Sequence, residues 1–178
     1  MNPPFVLIFA AHSGTGKTTL LSQVIPYLVQ AGVRVGVVKH SHHDLDLDQP
    51  GKDSQRLRAA GSVQTVLATP WRSFVFKEKG SRSEPDLASE LALLQWDELD
   101  MVLVEGFRHA PWPKLELYRR ELGHPFLFEQ DKQVRALVWN GGDWPDGPAP
   151  LPLLDINDPA AVARWIYRHW QHQQGHQD

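Results

Sequence analysis

The chain has 178 residues, 42% of them hydrophobic and 22% charged, and its 18 Lys and Arg against 21 Asp and Glu leave a formal charge of −3. That balance predicts one globular core and excludes a disordered or fibrous chain, and the missing basic excess argues against nucleic acid as the main partner. The absence of cysteine excludes disulfides, thiolate zinc sites and thiol nucleophiles, while the apolar run Phe5 to Ala11 is too short to cross a membrane, so a cytoplasmic protein without a membrane partner is expected.

Phe5 to Ala10 is a continuous apolar run, the pattern of a parallel strand covered on both faces. The segment AHSGTGKTT, Ala11 to Thr19, follows it, and a helix is expected from Lys17 with Leu20, Leu21, Val24 and Leu28 on one face. Pro26 is expected to kink that helix and Gly32 to end it. Val33 to Val38 reads as a second strand. His40 to Lys52 has no apolar period and reads as a surface loop. Asp53 is expected to cap a short helix through Ala60, followed by a strand over Val63 to Ala68 with Phe74 to Phe76 pairing beside it. Lys77 to Asp86 reads as an exposed segment with the potential to act as a lid.

A helix is expected from Asp86 to Gln95, then strands at Met101 to Val104, Leu115 to Tyr118 and Val134 to Trp139, the second of these near a sheet edge because Pro111 and Pro113 precede it. Asp158-Pro159 is a capped helix start, with Val162, Ile166 and Trp170 along the docking face. The expected architecture is α/β, a P-loop NTPase three-layer sandwich with a mostly parallel central sheet. It forms one nucleotide-binding domain over residues 1–170, with residues 171–178 a flexible tail.

The glycine-rich segment matches the pattern GxxxxGK[ST] after a strand and before a helix, apart from Ala11 at its first position. Small residues there let the amides of Ser13, Gly14, Thr15, Gly16 and Lys17 converge on phosphate oxygens. The Lys17 ammonium is expected to reach the β- and γ-phosphates, the Thr18 hydroxyl to ligate Mg²⁺ and Thr19 to meet the α-phosphate. Such sites need a carboxylate at the carboxyl end of a neighbouring strand. Asp100 and Glu105 bracket the strand at Met101 to Val104 about 16 Å apart, and Glu105 is at the ligand end, where it serves as metal partner or catalytic acid.

Two further groups are candidates. Lys39, His40, His42, His43 and Asp44 follow the second strand, and three readings remain open: grip on an anionic substrate, a transition-metal site with Asp44, Asp46 and Asp48, or a solvated loop. Asp44 also has the option of reaching magnesium through water. Asn140 and Asp143 satisfy N-x-x-D, in which the aspartate accepts from the ring N–H and exocyclic amine of guanine. Gly141 replaces the usual lysine, so Trp139 or Trp144 would have to stack on the base. A plain glycine turn explains the same residues.

Together, AHSGTGKTT, the block VGVVKHSHHDLDLDQPGKDSQRLRAAG from Val35 to Gly61, the strand DMVLVEGFRHA and PKLELYR from Pro113 to Arg119 resemble the MobB family, molybdopterin-guanine dinucleotide biosynthesis protein B. The resemblance covers most of the chain. It implies a dimeric, weakly hydrolysing adapter that binds GTP and Mg²⁺, assists a guanylyltransferase in attaching GMP to the molybdenum cofactor, and has molybdopterin as a further candidate ligand. It maps Gly14, Gly16, Lys17, Thr18 and Glu105 to nucleotide and magnesium, and Lys39 to Asp44 to a shared loop. The residues alone also admit a small-molecule kinase with Lys77, Lys79 and Arg82 in a lid, or a metal-delivery GTPase using His40, His42 and His43.

Overall fold

The structure, a computed structural model, describes residues 4–41, 48, 51–81, 83–145 and 147–174. It divides into two compact units, one formed by Met1–His40 with Leu87–Asp178 and the other by Ser41–Asp86.

The larger unit is built on a six-stranded sheet. Its strands are β1 (Phe5–Ala10), β2 (Val35–Lys39), β5 (Met101–Glu105), β6 (Lys114–Tyr118), β7 (Val134–Trp139) and β8 (Leu153–Asp155), arranged in the order β2-β5-β1-β6-β7-β8. All five neighbouring pairs run parallel. Parallel neighbours need crossovers, and these place helices on both faces. Helix α1 (Lys17–Gln30) buries Leu20, Leu21, Val24 and Leu28, the stripe its periodicity predicts, against one face of the sheet. Helix α4 (Pro159–Gln174) docks Val162, Ala163 and Ile166 beside it. Each such apolar side chain contributes about 1.5–3 kcal/mol on burial. On the opposite face, helix α3 (Leu87–Leu91) packs Leu87 and Leu91 against Val6, Ile8, Val102 and Val104.

The alternation along β1 and β5 sorts their residues between these layers. Leu7, Phe9, Met101 and Leu103 face α1, and Val6, Ile8, Val102 and Val104 face α3. The layers and central sheet expected from the sequence are thus present. Asp158 caps α4 through Oδ1, which accepts the Ala161 amide at 2.8 Å, and the helix continues to Gln174, so residues 171–174 are helical.

Several boundaries differ from expectation. Strand β6 is interior, between β1 and β7, because Pro111 and Pro113 precede the paired residues and deprive none of them of a donor. The edges are β2 and β8, and β8 follows a Gly- and Pro-rich stretch whose three-residue strand carries too short a pattern to recognise. Helix α3 stops at Leu91, well before Gln95. The Trp96 indole donates to the Leu91 carbonyl at 2.7 Å, a side-chain bond that offsets the lost helical turn.

Face alternation on β6 has a different content. Leu115 and Leu117 join the α1 layer, while Lys114 and Glu116, each 1% exposed, point the other way. The Lys114 ammonium donates to the Ala110 and Trp112 carbonyls at 2.6 and 3.3 Å and pairs with Asp131 at 2.8 Å. Glu116 accepts the Leu127 and Phe128 amides at 2.7 and 2.9 Å. Burial raises the proton affinity of this carboxyl, and the two amides oppose that shift. Here polar side chains hold the loops that a hydrophobic face would otherwise cover.

The smaller unit contains α2 (Asp53–Ala59) and the antiparallel hairpin β3 (Gln64–Ala68) with β4 (Ser73–Lys77). Asp53 is the first helical residue and Lys52 the cap position, so the expected aspartate cap is displaced by one. The Arg58 guanidinium donates to Glu78 at 2.7 Å, lies 3.6 Å from Asp48 and sits 4.4 Å from the centre of the Phe76 ring. Arg82 of the expected lid lies outside the described residues.

Replacing Lys114 with Met keeps the apolar stem and strands two carbonyls and a carboxylate. Urea denaturation should show a loss of about 3 kcal/mol, against about 1 kcal/mol for Asp131→Asn, whose side chain reaches solvent. Equal, small losses for both would remove Lys114 as the anchor of this face.

Candidate phosphate-binding site

The sharp turn from β1 into α1 needs backbone angles that side chains disfavour. Gly14 and Gly16 supply them, with φ of 80° and 95°, and Gly16 stands at the N-cap of α1. Ala11 is the residue after β1 and is not among the residues with positive φ, so the departure from glycine at that motif position carries no backbone strain. Thr15 is 2% exposed, and its hydroxyl donates back to the His12 carbonyl, which closes the loop on itself. The loop is braced from β6 as well, since the Arg119 guanidinium donates to the Thr15 carbonyl at 3.0 Å. Ser13, Gly14, Thr18 and Thr19 remain exposed at the mouth.

Lys17 opens α1, and its ammonium donates to the His12 and Ala11 carbonyls at 3.0 and 3.3 Å. Burial lowers its proton affinity most, Glu105 opposes that, and the Arg108 and Lys39 charges lower it further. A cation held in this way gains from any anion placed on the loop.

Strand parity brings the acidic partner to the same place. Glu105 ends β5 with the parity of Met101 and Leu103, the face that carries α1. Its carboxylate therefore emerges beneath the helix N-terminus, where Oε1 accepts the Thr18 hydroxyl at 2.7 Å. Lys39 is its direct partner in the register of β2. The Lys39 ammonium lies 3.1 Å from each Glu105 oxygen and 3.0 Å from the Thr18 hydroxyl. Thr18 and Glu105 thus form an oxygen pair already bridged by a cation, which fits a hard divalent ion such as Mg²⁺. Asp100, at the far end of β5, is instead tied to Arg34 at 2.8 Å, and this partner holds its carboxyl below the usual range.

Residues beyond the motif also converge on the loop. The His12 ring stacks on His124 with centroids 4.1 Å apart. Burial, then His124 and Arg108, depress its proton affinity, and the Pro125 backbone opposes them. On the other side, Gly106 has φ of 96° and Phe107 has φ of 50°, the one non-glycine residue with positive φ among those described. A left-handed aromatic residue costs about 1–2 kcal/mol. The His40 ring, stacked at 4.8 Å, supports it. Sequence reasoning missed Arg108, Arg119 and His124, because their service to the loop arises from strand order and leaves no local spacing signal. Arg119 did fall inside the conspicuous PKLELYR segment.

The N-x-x-D turn follows β7. Asn140 Oδ1 accepts the Arg120 amide at 3.1 Å, and its amide nitrogen donates to Glu121 at 2.7 Å. Asp143 is exposed. A Cβ at position 141 would lie 2.5 Å from the Trp139 ring, so that ring occupies the space a lysine there would need. Its indole donates to the Gly142 carbonyl at 2.9 Å. Trp144 packs against Trp139 and Phe126, and Phe126 stacks on Tyr118 at 4.0 Å, giving an aromatic bank beside the turn. Of the histidine loop, His42, His43, Asp44 and Asp46 lie outside the described residues. Among the described ones, no group of three or more His, Cys, Asp or Glu is placed to hold a metal. Nor is any described helix long and apolar enough to cross a membrane.

Comparison with known proteins agrees with this arrangement. The family described as molybdopterin guanine dinucleotide synthesis protein B (MobB) matches residues 6–140, which include the phosphate loop, Lys39, Glu105 and Asn140. The molybdopterin-guanine dinucleotide biosynthesis adapter protein of Escherichia coli (strain K12) is 42% identical over 173 residues, covering 96% of this chain and 95% of its own. The protein of the same description from Haemophilus influenzae is 39% identical over 173 residues, covering 94% and 89%. A crystal structure of Bacillus subtilis MobB is similar with a TM-score of 0.67 at 27% identity, over 92% of this chain and 96% of that one. A crystal structure of molybdopterin-guanine biosynthesis protein B shares the fold with a TM-score of 0.72 at 23% identity, over 94% of this chain and 99% of that one. With a family match across most of its length and close relatives covered nearly end to end, the chain belongs to the MobB family of molybdopterin guanine dinucleotide synthesis proteins.

Proposed function

We propose that this protein is a cytoplasmic, GTP-binding adapter in molybdenum cofactor biosynthesis, which assists a guanylyltransferase in forming molybdopterin guanine dinucleotide and hydrolyses GTP weakly. Family membership supports the pathway, and the relatives at 42% and 39% identity are described as adapter proteins for that biosynthesis. One observation carries the nucleotide reading: Thr18 and Glu105, from different elements, meet at 2.7 Å directly behind the Lys17 loop.

In this reading the loop amides from Ser13 to Lys17 hold the triphosphate, Lys17 spans its β- and γ-phosphates and Thr19 meets the α-phosphate. Thr18 and Glu105 would hold Mg²⁺, whose charge would offset that of the phosphates. With a metal there, Lys39, which lies on this oxygen pair, would be displaced towards an anionic partner, consistent with its place beside His40. The guanine base lies towards Asn140 and Asp143, with the Trp139–Trp144 bank as its stacking surface. Molybdopterin is the candidate second ligand, and its phosphate is the group Lys39 is suited to receive.

The hairpin unit supports a homodimer. Val66 and Val75 are cross-strand partners 64% and 65% exposed, and Trp71 at the turn is 89% exposed. So small a unit buries little of its own apolar surface, and a second copy is the natural cover.

A titration comparing GTP, ATP and molybdopterin with and without Mg²⁺ tests the reading. Lys17→Ala should abolish triphosphate binding with the melting temperature unchanged, and Glu105→Gln should remove the Mg²⁺ dependence of GTP affinity. Retained affinity in the first variant defeats the site.

The depressed proton affinity of Lys17 sets a pH dependence. Bound phosphates raise it again, so the complex holds a proton that the free protein releases. GTP affinity should fall as pH rises through the free-state Lys17 pKa, which lies below the ordinary lysine range, by up to about tenfold per unit. A flat profile up to the ordinary range would contradict the assigned environment.

Sedimentation should show a dimer that the double variant Val66→Lys, Val75→Lys converts to monomer with unchanged circular dichroism. A dimer that persists would place the interface elsewhere.

A further inference from the structure

Glu105 is followed by a turn whose shape delivers the next side chain to the phosphate loop. Gly106 and Phe107 both have positive φ, and a Cβ at position 106 would come within 2.8 Å of the His40 Cβ. The His40 ring stacks on Phe107 and so holds the turn from the end of β2. Arg108 then points back across the loop. Its Nη1 lies 3.4 Å from His12 Nδ1, and its Nε donates to His109 Nε2 at 3.0 Å.

His12 is also the residue whose carbonyl receives the Lys17 ammonium, at 3.0 Å. The guanidinium and the ammonium therefore both reach His12, one at its ring and the other at its carbonyl. Arg108 is exposed and is free to reach solvent, yet it is near enough to depress the proton affinity of Lys17. Like charges brought near one another are unfavourable until an anion lies between them. The His12 ring, stacked on His124, places its Nδ1 3.4 Å from the guanidinium.

We propose that Arg108 is an anion clamp supplied by the chain itself, which grips the terminal phosphate of a triphosphate on the loop and so makes the site select triphosphate over diphosphate. A guanidinium suits this role because its planar donors match two phosphate oxygens at once, which an ammonium does not. His40 and Phe107 act as positioning residues. The proposal rests on the nucleotide reading of the loop given above.

The test is calorimetric titration of the full chain with a non-hydrolysable GTP analogue and with GDP, each with Mg²⁺. Arg108→Gln should weaken the analogue by about tenfold or more and GDP by less than about twofold. Arg108→Lys should recover part of the loss, and His40→Ala should lose selectivity in the same direction by releasing the turn. If the wild-type protein binds both nucleotides and Arg108→Gln changes both equally or neither, the clamp is wrong and the loop assignment stands. If the wild-type protein binds neither, or Lys17→Ala still binds both, the loop assignment itself fails and the clamp with it.

Discussion

The hydrogen bond from the Thr18 hydroxyl to Glu105 joins the N-terminus of the first helix to the carboxyl end of a strand that lies 87 residues further along the chain. It exists because β5 is the immediate neighbour of β1 in register, with Phe9 opposite Glu105, and because Glu105 shares the parity of the residues beneath α1. A slip of one residue would turn the carboxylate to the α3 face and leave the loop without an acid. The buried pairs Val6 with Val102, Leu7 with Leu103 and Ile8 with Val104 prevent that slip, since it would exchange the two apolar layers. The chemistry at the mouth is therefore held by the hydrophobic core behind it.

Lys39 depends on the same register from the other side. Its position opposite Glu105 places an ammonium over both carboxylate oxygens and the threonine hydroxyl. An exposed ion pair of this kind contributes little to stability, on the order of 1 kcal/mol or less. Its importance lies in what it fills. The oxygen pair keeps the Lys39 ammonium beside it, and under the proposed reading a metal there would release that lysine for another anion. One short strand at the sheet edge thereby supplies the cation that lies on Thr18 and Glu105.

The sheet and the phosphate loop were legible because their signals are local. A continuous apolar run, two glycines at a strand-to-helix turn and a leucine stripe at helical spacing each follow from a single backbone period. Asp100 and Glu105 were separable by strand length and by which strand end faces ligands, and Asp100 is paired with Arg34 at the other end. The interior place of β6 was not legible, because prolines before a strand look the same whether the strand is an edge or is paired from its first residue. Neither was the polar face of β6 foreseeable. Lys114 and Glu116 alternate with leucine as in any half-exposed strand, and their burial becomes evident once the loops carrying Ala110, Leu127 and Asp131 fold over them.

That polar face explains how the site is enclosed. Loops covering a sheet ordinarily bury apolar side chains, but those after β5 and β6 carry the groups that reach the phosphate loop, including Arg108 and His124. Lys114 fixes the first of these loops through the Ala110 and Trp112 carbonyls, and Glu116 fixes the second through two backbone amides. Bonds to main-chain groups set position without specifying the neighbouring side chains, so those loops are free to present charge. In a chain with a net charge of −3, the result is a local excess of cations, Lys17, Lys39 and Arg108, facing Glu105. Mutual repulsion among them is tolerable in the free protein because carbonyls hold Lys17, a carboxylate holds Lys39 and Arg108 donates to the His109 ring. Under the proposed nucleotide reading a polyphosphate would meet all three together, and Lys114 on β6 fixes the loop that brings Arg108 to them.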